Sequence, residues 1–263
     1  MYWLVRKRTE PLFLFLHIPK CAGTTLVKSF ARLGSKRHVT LPYSAQSKHE
    51  AIGQIHAELG ERGSSTDRLV AISGHAVFCG LHEISLRPAH YITVLRHPQS
   101  RYISHYQYLV DCAGNENHSI YHNAKSLVMR SGKPLTLEQF AEQGLARNMM
   151  TRHLAATSWD GDFTMRKNTQ CDREELLDLA IAGLRAMDLI GLVEEFPEDL
   201  NRICSLVRVP VARIANRSVT RVDPAQITPR VKKLIADNNR LDMQLYEVAV
   251  QLRSERLSKA AAA

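Results

Sequence analysis

No apolar run near the start of this 263-residue chain is long enough to cross a bilayer, since Leu12 to Leu16 is only five residues and leads into a turn, not a cleavage site. Membrane anchoring and secretion are therefore not expected. Arg6, Lys7 and Arg8 fit a solvated entry to a strand better than the basic flank of a signal peptide. Paired cysteines are also missing: Cys21, Cys79, Cys112, Cys171 and Cys204 are odd in number, widely spaced and free of any CxxC. That usage predicts a reduced, cytoplasmic setting. Twelve histidines occur without HExxH or a paired Cys/His spacing, so no metal is assigned. Aromatic residues make up 6% and form no basic-aromatic stripe, so nucleic acid is not the expected partner despite a net charge of +9. The excess of 35 basic over 26 acidic side chains favours an anionic ligand or general solubility.

An apolar content of 44% can bury a sizeable core, and residues 1–263 are read as one domain with its core at about 12–252 and a flexible tail at 253–263. Short apolar runs at Leu12 to Ile18, Leu69 to Ile72, Tyr91 to Leu95 and Leu189 to Val193 have the character of buried parallel strands. Helical patterns separate them: Leu26 to Leu33, Ser47 to Leu59, Pro98 to Val110, and a segment capped by Asp172 and Glu175 that runs through Met187. The alternation predicts a doubly wound α/β parallel sheet flanked by helices. Val231, Leu234, Ile235, Leu241, Leu245, Val248, Ala249 and Leu252 fall at helical spacing, which suits a docked terminal helix and leaves a homodimer seam as its other use. Residues 111–133 have little apolar period and are expected to form a long surface loop beside a substrate cleft.

The strand Leu12 to Ile18 breaks into Pro19-Lys20-Cys21-Ala22-Gly23-Thr24-Thr25 and then becomes a helix. A strand, a tight turn and a helix start build an anion cradle, with unpaired N–H groups, the positive dipole end, the Lys20 charge and two threonine hydroxyls. Gly23 is expected to let backbone approach the ligand. GxxxxGK[ST] places its lysine after both glycines, whereas Lys20 precedes the only one here. Phosphate binding is thus expected without ATP hydrolysis being implied. A second constellation follows Tyr91 to Leu95: Arg96 at the strand end and Ser104 eight residues later, about two turns into the next helix. A guanidinium and a hydroxyl converging there suit a phosphate monoester.

Together, HIPKCAGTT and TVLRHPQSRYISHYQYL resemble the sulfotransferases that use 3′-phosphoadenosine 5′-phosphosulfate (PAPS), in the subgroup of the Golgi carbohydrate enzymes such as heparan sulfate 2-O-sulfotransferase. Ser73-Gly74-His75, Asn148 to Leu154, Ile190 to Phe196 and Asn239 to Tyr246 fit the same pattern. The resemblance implies a P-loop NTPase-like fold, with the 5′-phosphosulfate at Lys20, Cys21, Ala22, Gly23, Thr24 and Thr25 and the 3′-phosphate at Arg96 and Ser104. It further implies a late loop over the nucleotide, for which Asn216 to Arg221 is the candidate and Arg217 and Ser218 the contacts. Arg101, one turn past Arg96, is better read as pairing a carboxylate or capping a loop.

In-line sulfuryl transfer needs a base for the acceptor hydroxyl and a cation at the bridging oxygen. Lys20 suits the second task, and protonated it cannot perform the first. His75 is the expected base, because it follows a strand and Gly74, and the related carbohydrate enzymes place a histidine there. The 2-O pattern has another histidine where this chain has Ser73. His17 is the rival, with His82, Glu83, His105, His153 and Arg152 as further acceptor contacts. The expected reaction moves sulfuryl to a hydroxyl of a carbohydrate or glycolipid, with an anionic carbohydrate as one acceptor; a P-loop small-molecule kinase and a non-catalytic nucleotide-binding module are the alternatives.

Overall fold

The computed structural model describes residues 10–167, 174–212 and 222–262. At its centre β1 (Leu12–Leu16), β2 (His38–Leu41), β3 (Ala71–Gly74), β4 (Ala89–Leu95) and β7 (Leu189–Leu192) form a five-stranded sheet in the order β2-β3-β1-β4-β7, every neighbouring pair parallel. β5 (Met129–Arg130) and β6 (Lys133–Pro134) make a separate small hairpin. Each residue of β1 is buried because both faces are covered, which is why that strand is a solid apolar run without alternation.

Leu12, Leu14 and Leu16 point to a core completed by α2 (Lys48–Glu61), α6 (Met149–Thr157), α7 (Glu174–Arg185) and α10 (Arg240–Ala262). Phe13 and Phe15 point to the other face, closed by α1 (Gly23–Phe30) and α8 (Phe196–Val207). A third cluster joins α3 (Pro98–Ala113), α4 (Tyr121–Val128), α5 (Leu137–Glu142) and α9 (Pro229–Asn238). The Ser47 hydroxyl accepts from Glu50 N–H, Thr136 and Gln139 form a capping box, and Thr228 caps the helix opened by Pro229, whereas the Asp172 cap expected before α7 lies outside the described residues.

Three expectations are corrected. The 111–133 stretch contains α4, whose Ala124 and Val128 are its only buried residues. Two apolar positions one turn apart give almost no visible period, and such a short helix depends on packing against α3. The tail is helix as far as Ala262, held by the Arg253 guanidinium on Asp199 and Glu195 and by Arg256 on the Met187 carbonyl. Those anchors are charged, so an apolar pattern does not show them. Asn239 divides the terminal helix into α9 and α10; Leu241, Leu245 and Ala249 of its stripe are buried inside this chain.

Candidate active site

Connections leave β1 and β4 in opposite directions across the sheet, so the crevice of a doubly wound fold opens at their carboxyl ends. The turn after β1 is strained. Lys20 and Ala22 both take positive φ, 68° and 58°, where residues with a Cβ are disfavoured. Ala22, the N-cap of α1, has no side chain that caps, so the first-turn N–H groups of Gly23 and Thr24 have no intrachain acceptor among the described residues. Thr24 is exposed and Thr25 half-buried, while Cys21 is buried and its thiol pushed up to about 12 by desolvation.

Gly23 has a different duty from the one expected. A Cβ there would lie 1.9 Å from Cδ2 of His17, so the missing side chain makes room for that imidazole. His17 is clamped between Phe15 at 5.9 Å and His75 at 4.2 Å and has little freedom to yield. Gly23→Ala is expected to cost about 1–3 kcal/mol in thermal unfolding. The added substitution His17→Ala should restore part of that loss, and an unchanged Gly23→Ala midpoint would contradict this packing.

Lys20 and Arg96 face the same edge, each half-buried. Among the described residues neither makes a hydrogen bond or ion pair with a carboxylate. Burial lowers the Lys20 ammonium, the Arg96 charge lowers it further, and its Nζ sits 4.2 Å over the Tyr108 ring of α3. Burial is also the main influence on Arg96, which Glu194 counteracts. Glu194 itself accepts from His97 N–H and the Tyr246 hydroxyl, both at 2.9 Å. Ser104 lies about two turns along α3, half-buried, with no side-chain hydrogen bond among the described residues. Arg217 and Ser218 lie outside the described residues.

His75 follows β3 at this edge. Its Nδ1 lies 2.5 Å from the His17 carbonyl, and a carbonyl only accepts, so Nδ1 carries the proton and Nε2 keeps its lone pair. Desolvation holds the imidazole at about 4, so it is neutral near pH 7. Two groups fix its backbone: His153 Nε2 and an Arg166 guanidinium N–H each reach the His75 carbonyl at 3.1 Å. Tyr43 packs edge-on to His75 at 5.4 Å, and the Arg166 cation covers the Tyr43 ring at 5.0 Å. Tyr43, Arg166 and Tyr108 were not anticipated. Only Tyr108 carried a signal, lying one turn beyond Ser104 on the same helix.

Other candidates are drawn elsewhere. His82 turns its Nδ1 to the Tyr91 hydroxyl at 2.9 Å, against the face of the sheet, and Glu83 is exposed. Arg101 is fully buried against Asp242, Met149 and the Ala146 carbonyl, so it is the structural carboxylate partner. Arg152 is buried within α6. Asp242 also caps α6 through Met150 and Thr151, and Asn148 returns the favour by accepting from Leu241 and Asp242. Ser73, in place of a second histidine, is buried with its hydroxyl 2.8 Å from His38 Nε2. Among the described residues no group of three or more His, Cys, Asp or Glu could hold a metal ion.

Burial holds His17, His38, His75, His105 and His153 below the ordinary imidazole value of 6.5, with His38 and His75 at about 4. An unfolded chain regains the ordinary value, so between about 4 and 6.5 it takes up protons that the folded chain refuses. Stability is complete above that window and falls as pH drops through it. Urea unfolding is expected to show a lower midpoint at pH 5 than at pH 7, with proton uptake on unfolding. Equal midpoints without uptake would contradict neutral buried imidazoles.

A parallel sheet in this order, with a strained anion turn after the central strand, defines a P-loop-like α/β protein. A model described as "Sulfotransferase family" matches residues 5–248, and the chain belongs to that family. It is similar to heparan-sulfate 6-O-sulfotransferase 2 of Mus musculus, 28% identical over 298 residues, covering 94% of this chain and 45% of the relative. The Homo sapiens protein of that name is 26% identical over 297 residues, with the same coverages. Heparan-sulfate 6-O-sulfotransferase 3-B of Danio rerio is 25% identical, with 94% of this chain and 65% of the relative covered. The chain thus spans less than half the length of the mouse and human relatives.

These relatives, named for heparan sulfate, overturn the expected cytoplasmic setting. Among the described residues Cys21, Cys79, Cys112 and Cys204 are free and buried, serving as small apolar side chains. Scattered cysteines report the lack of a disulfide framework and do not identify a compartment. Among the described residues, no helix is long and apolar enough to cross a membrane.

Proposed function

We propose that this chain transfers the sulfuryl group of PAPS to a hydroxyl of an anionic, heparan-type carbohydrate, with His75 as the base. The observation that supports this most is the combination at one sheet edge of Lys20 and Arg96, neither ion-paired with a carboxylate among the described residues, and a neutral His75 whose Nε2 is free. The residues fit the nucleotide. Two half-buried cations and an uncapped helix start suit a ligand carrying anions at both ends.

In this reading the turn Lys20 to Thr25 holds the 5′ end and Arg96 with Ser104 holds the 3′-phosphate. PAPS supplies an activated sulfuryl group on a phosphate leaving group. Lys20 stabilises charge growing on the bridging oxygen, its ammonium kept in the site by the Tyr108 face. His75 Nε2 takes the acceptor proton, and the His17 carbonyl holds the required tautomer through Nδ1. His153 and Arg166 keep the His75 backbone still. A kinase reading lacks the lysine that follows the second glycine, and a purely binding module leaves the oriented His75 without a task.

Calorimetry tests the nucleotide assignment: adenosine 3′,5′-bisphosphate is expected to bind much more tightly than AMP, because only the former engages Arg96 and Ser104. Equal affinities would sink the assignment.

A further inference from the structure

Trp159, just beyond the end of α6, is 55% exposed, yet its surroundings are built to hold it still. The Lys48 ammonium reaches back to the Ser158 and Trp159 carbonyls, at 2.5 and 2.8 Å. Gly80, at φ 99°, lies directly under the indole, and a Cβ there would come within 2.7 Å of the ring. A Cβ on Gly161 would lie 2.1 Å from the Ala155 carbonyl, so the turn closes only with glycine. His82 stands edge-on to the indole at 6.0 Å. An exposed tryptophan with no role would not need two glycines and a lysine drawn inward to fix it.

The platform is tied to the catalytic edge by two strips of chain that run side by side. At one end His153 meets the His75 carbonyl; at the other the Thr157 carbonyl accepts from Cys79 N–H at 2.9 Å. From His153 to Thr157, the end of α6, the helix advances about 6 Å, and Trp159 stands two residues beyond it. A single sugar ring at His75 does not extend that far, whereas a chain of rings does. Charge around the indole is mixed: Lys167, bonded to Gln46 on the segment that carries Lys48, adds a cation, while Asp160 acts on Lys48 and Asp162 is a second exposed acid. The anionic character of the saccharide chain therefore comes from the sulfotransferase reading.

We propose that Trp159 is a distal acceptor subsite on which a pyranose ring of an anionic oligosaccharide stacks while another ring of the same chain presents its hydroxyl to His75. This rests on the sulfotransferase reading above. Stacking uses the apolar face of the sugar on the indole, and Lys167 is the cation beside it for a carboxylate or sulfate group.

The probe is a heparin-derived hexasaccharide, with a monosaccharide acceptor of the same type as the short control. The chain has two tryptophans, so Trp3→Phe leaves Trp159 as the sole indole. Its fluorescence should change saturably with the hexasaccharide and not with a neutral glucan of equal length. Trp159→Ala should raise KM for the hexasaccharide by about tenfold, the size of one lost aromatic contact, and leave kcat and the monosaccharide KM unchanged. Trp159→Phe should recover part of the loss. Silent fluorescence, or an unchanged hexasaccharide KM in Trp159→Ala, would overturn the subsite. A saturable fluorescence change in a protein that transfers no sulfate would uphold the saccharide site and refute the reaction instead.

Discussion

Replacing His75 by alanine is expected to lower kcat for sulfuryl transfer by about 10²–10⁴, the usual worth of a positioned base, while the affinity for adenosine 3′,5′-bisphosphate stays near that of the parent protein. The separation follows from position. His75 stands after β3 and Lys20 and Arg96 after β1 and β4, so removing the imidazole leaves the phosphate-facing cations in place. Alanine also removes the stack on His17 and the bond to its carbonyl. His75→Asn is the better partner variant, because its amide can still donate to that carbonyl but has no basic nitrogen. Both variants should lose transfer while binding nucleotide with wild-type heat. Wild-type turnover in either would move the base to another residue, His17 first.

Arg96→Ala should act on the opposite half of the reaction. A charged hydrogen bond to phosphate is worth about 1.5–3 kcal/mol, so bisphosphate affinity should fall by about 10- to 100-fold, whereas AMP affinity should change little. The variant is expected to erase the preference between the two nucleotides and not merely to weaken both. Arg96 is half-buried and makes no hydrogen bond or ion pair with a carboxylate among the described residues, so its removal strips the fold of no such contact. Equal loss for bisphosphate and AMP would place Arg96 at the 5′ end or outside the site. Arg101→Ala offers a contrast, since it leaves Asp242 buried without its cation and should destabilise the protein.

Much of the architecture was legible because β1, β3, β4 and β7 are buried on both faces and most of them are separated by helices. β2 was not. His38-Val39-Thr40-Leu41 is an edge strand of four residues with an exposed threonine, too short and mixed to stand out. Lys20, Arg96 and His75 could be named because each follows a strand end, and parallel strands deliver their ends to one edge. What supports them could not be read that way. The two bonds to the His75 carbonyl and the Tyr108 face under Lys20 join residues far apart in the chain, and the His17 ring reaches Gly23 only because the turn folds back on its strand. Local pattern holds no record of such contacts. The cross-capping of α6 and α10 by Asn148 and Asp242 is equally non-local, which is why α6 had no visible N-terminal signal beyond Asn148 itself.

The structure gives the turn after β1 a second meaning. A lysine before the only glycine still sets this chain apart from the triphosphate enzymes, but its glycine serves an internal imidazole, and the strain is carried by Lys20 and Ala22. A turn held in that shape by packing presents its N–H groups without waiting for a ligand to order them.

The most direct measurement gives the intact chain PAPS labelled in its sulfate, with O-desulfated heparan-type polymer as acceptor, and in parallel ATP labelled in its γ-phosphate with the same polymer. Label from PAPS should enter the polymer and label from ATP should not, with the first signal lost in His75→Asn. Polymer labelled from ATP, or left unlabelled by PAPS while the bisphosphate still binds, would contradict sulfuryl transfer at this edge.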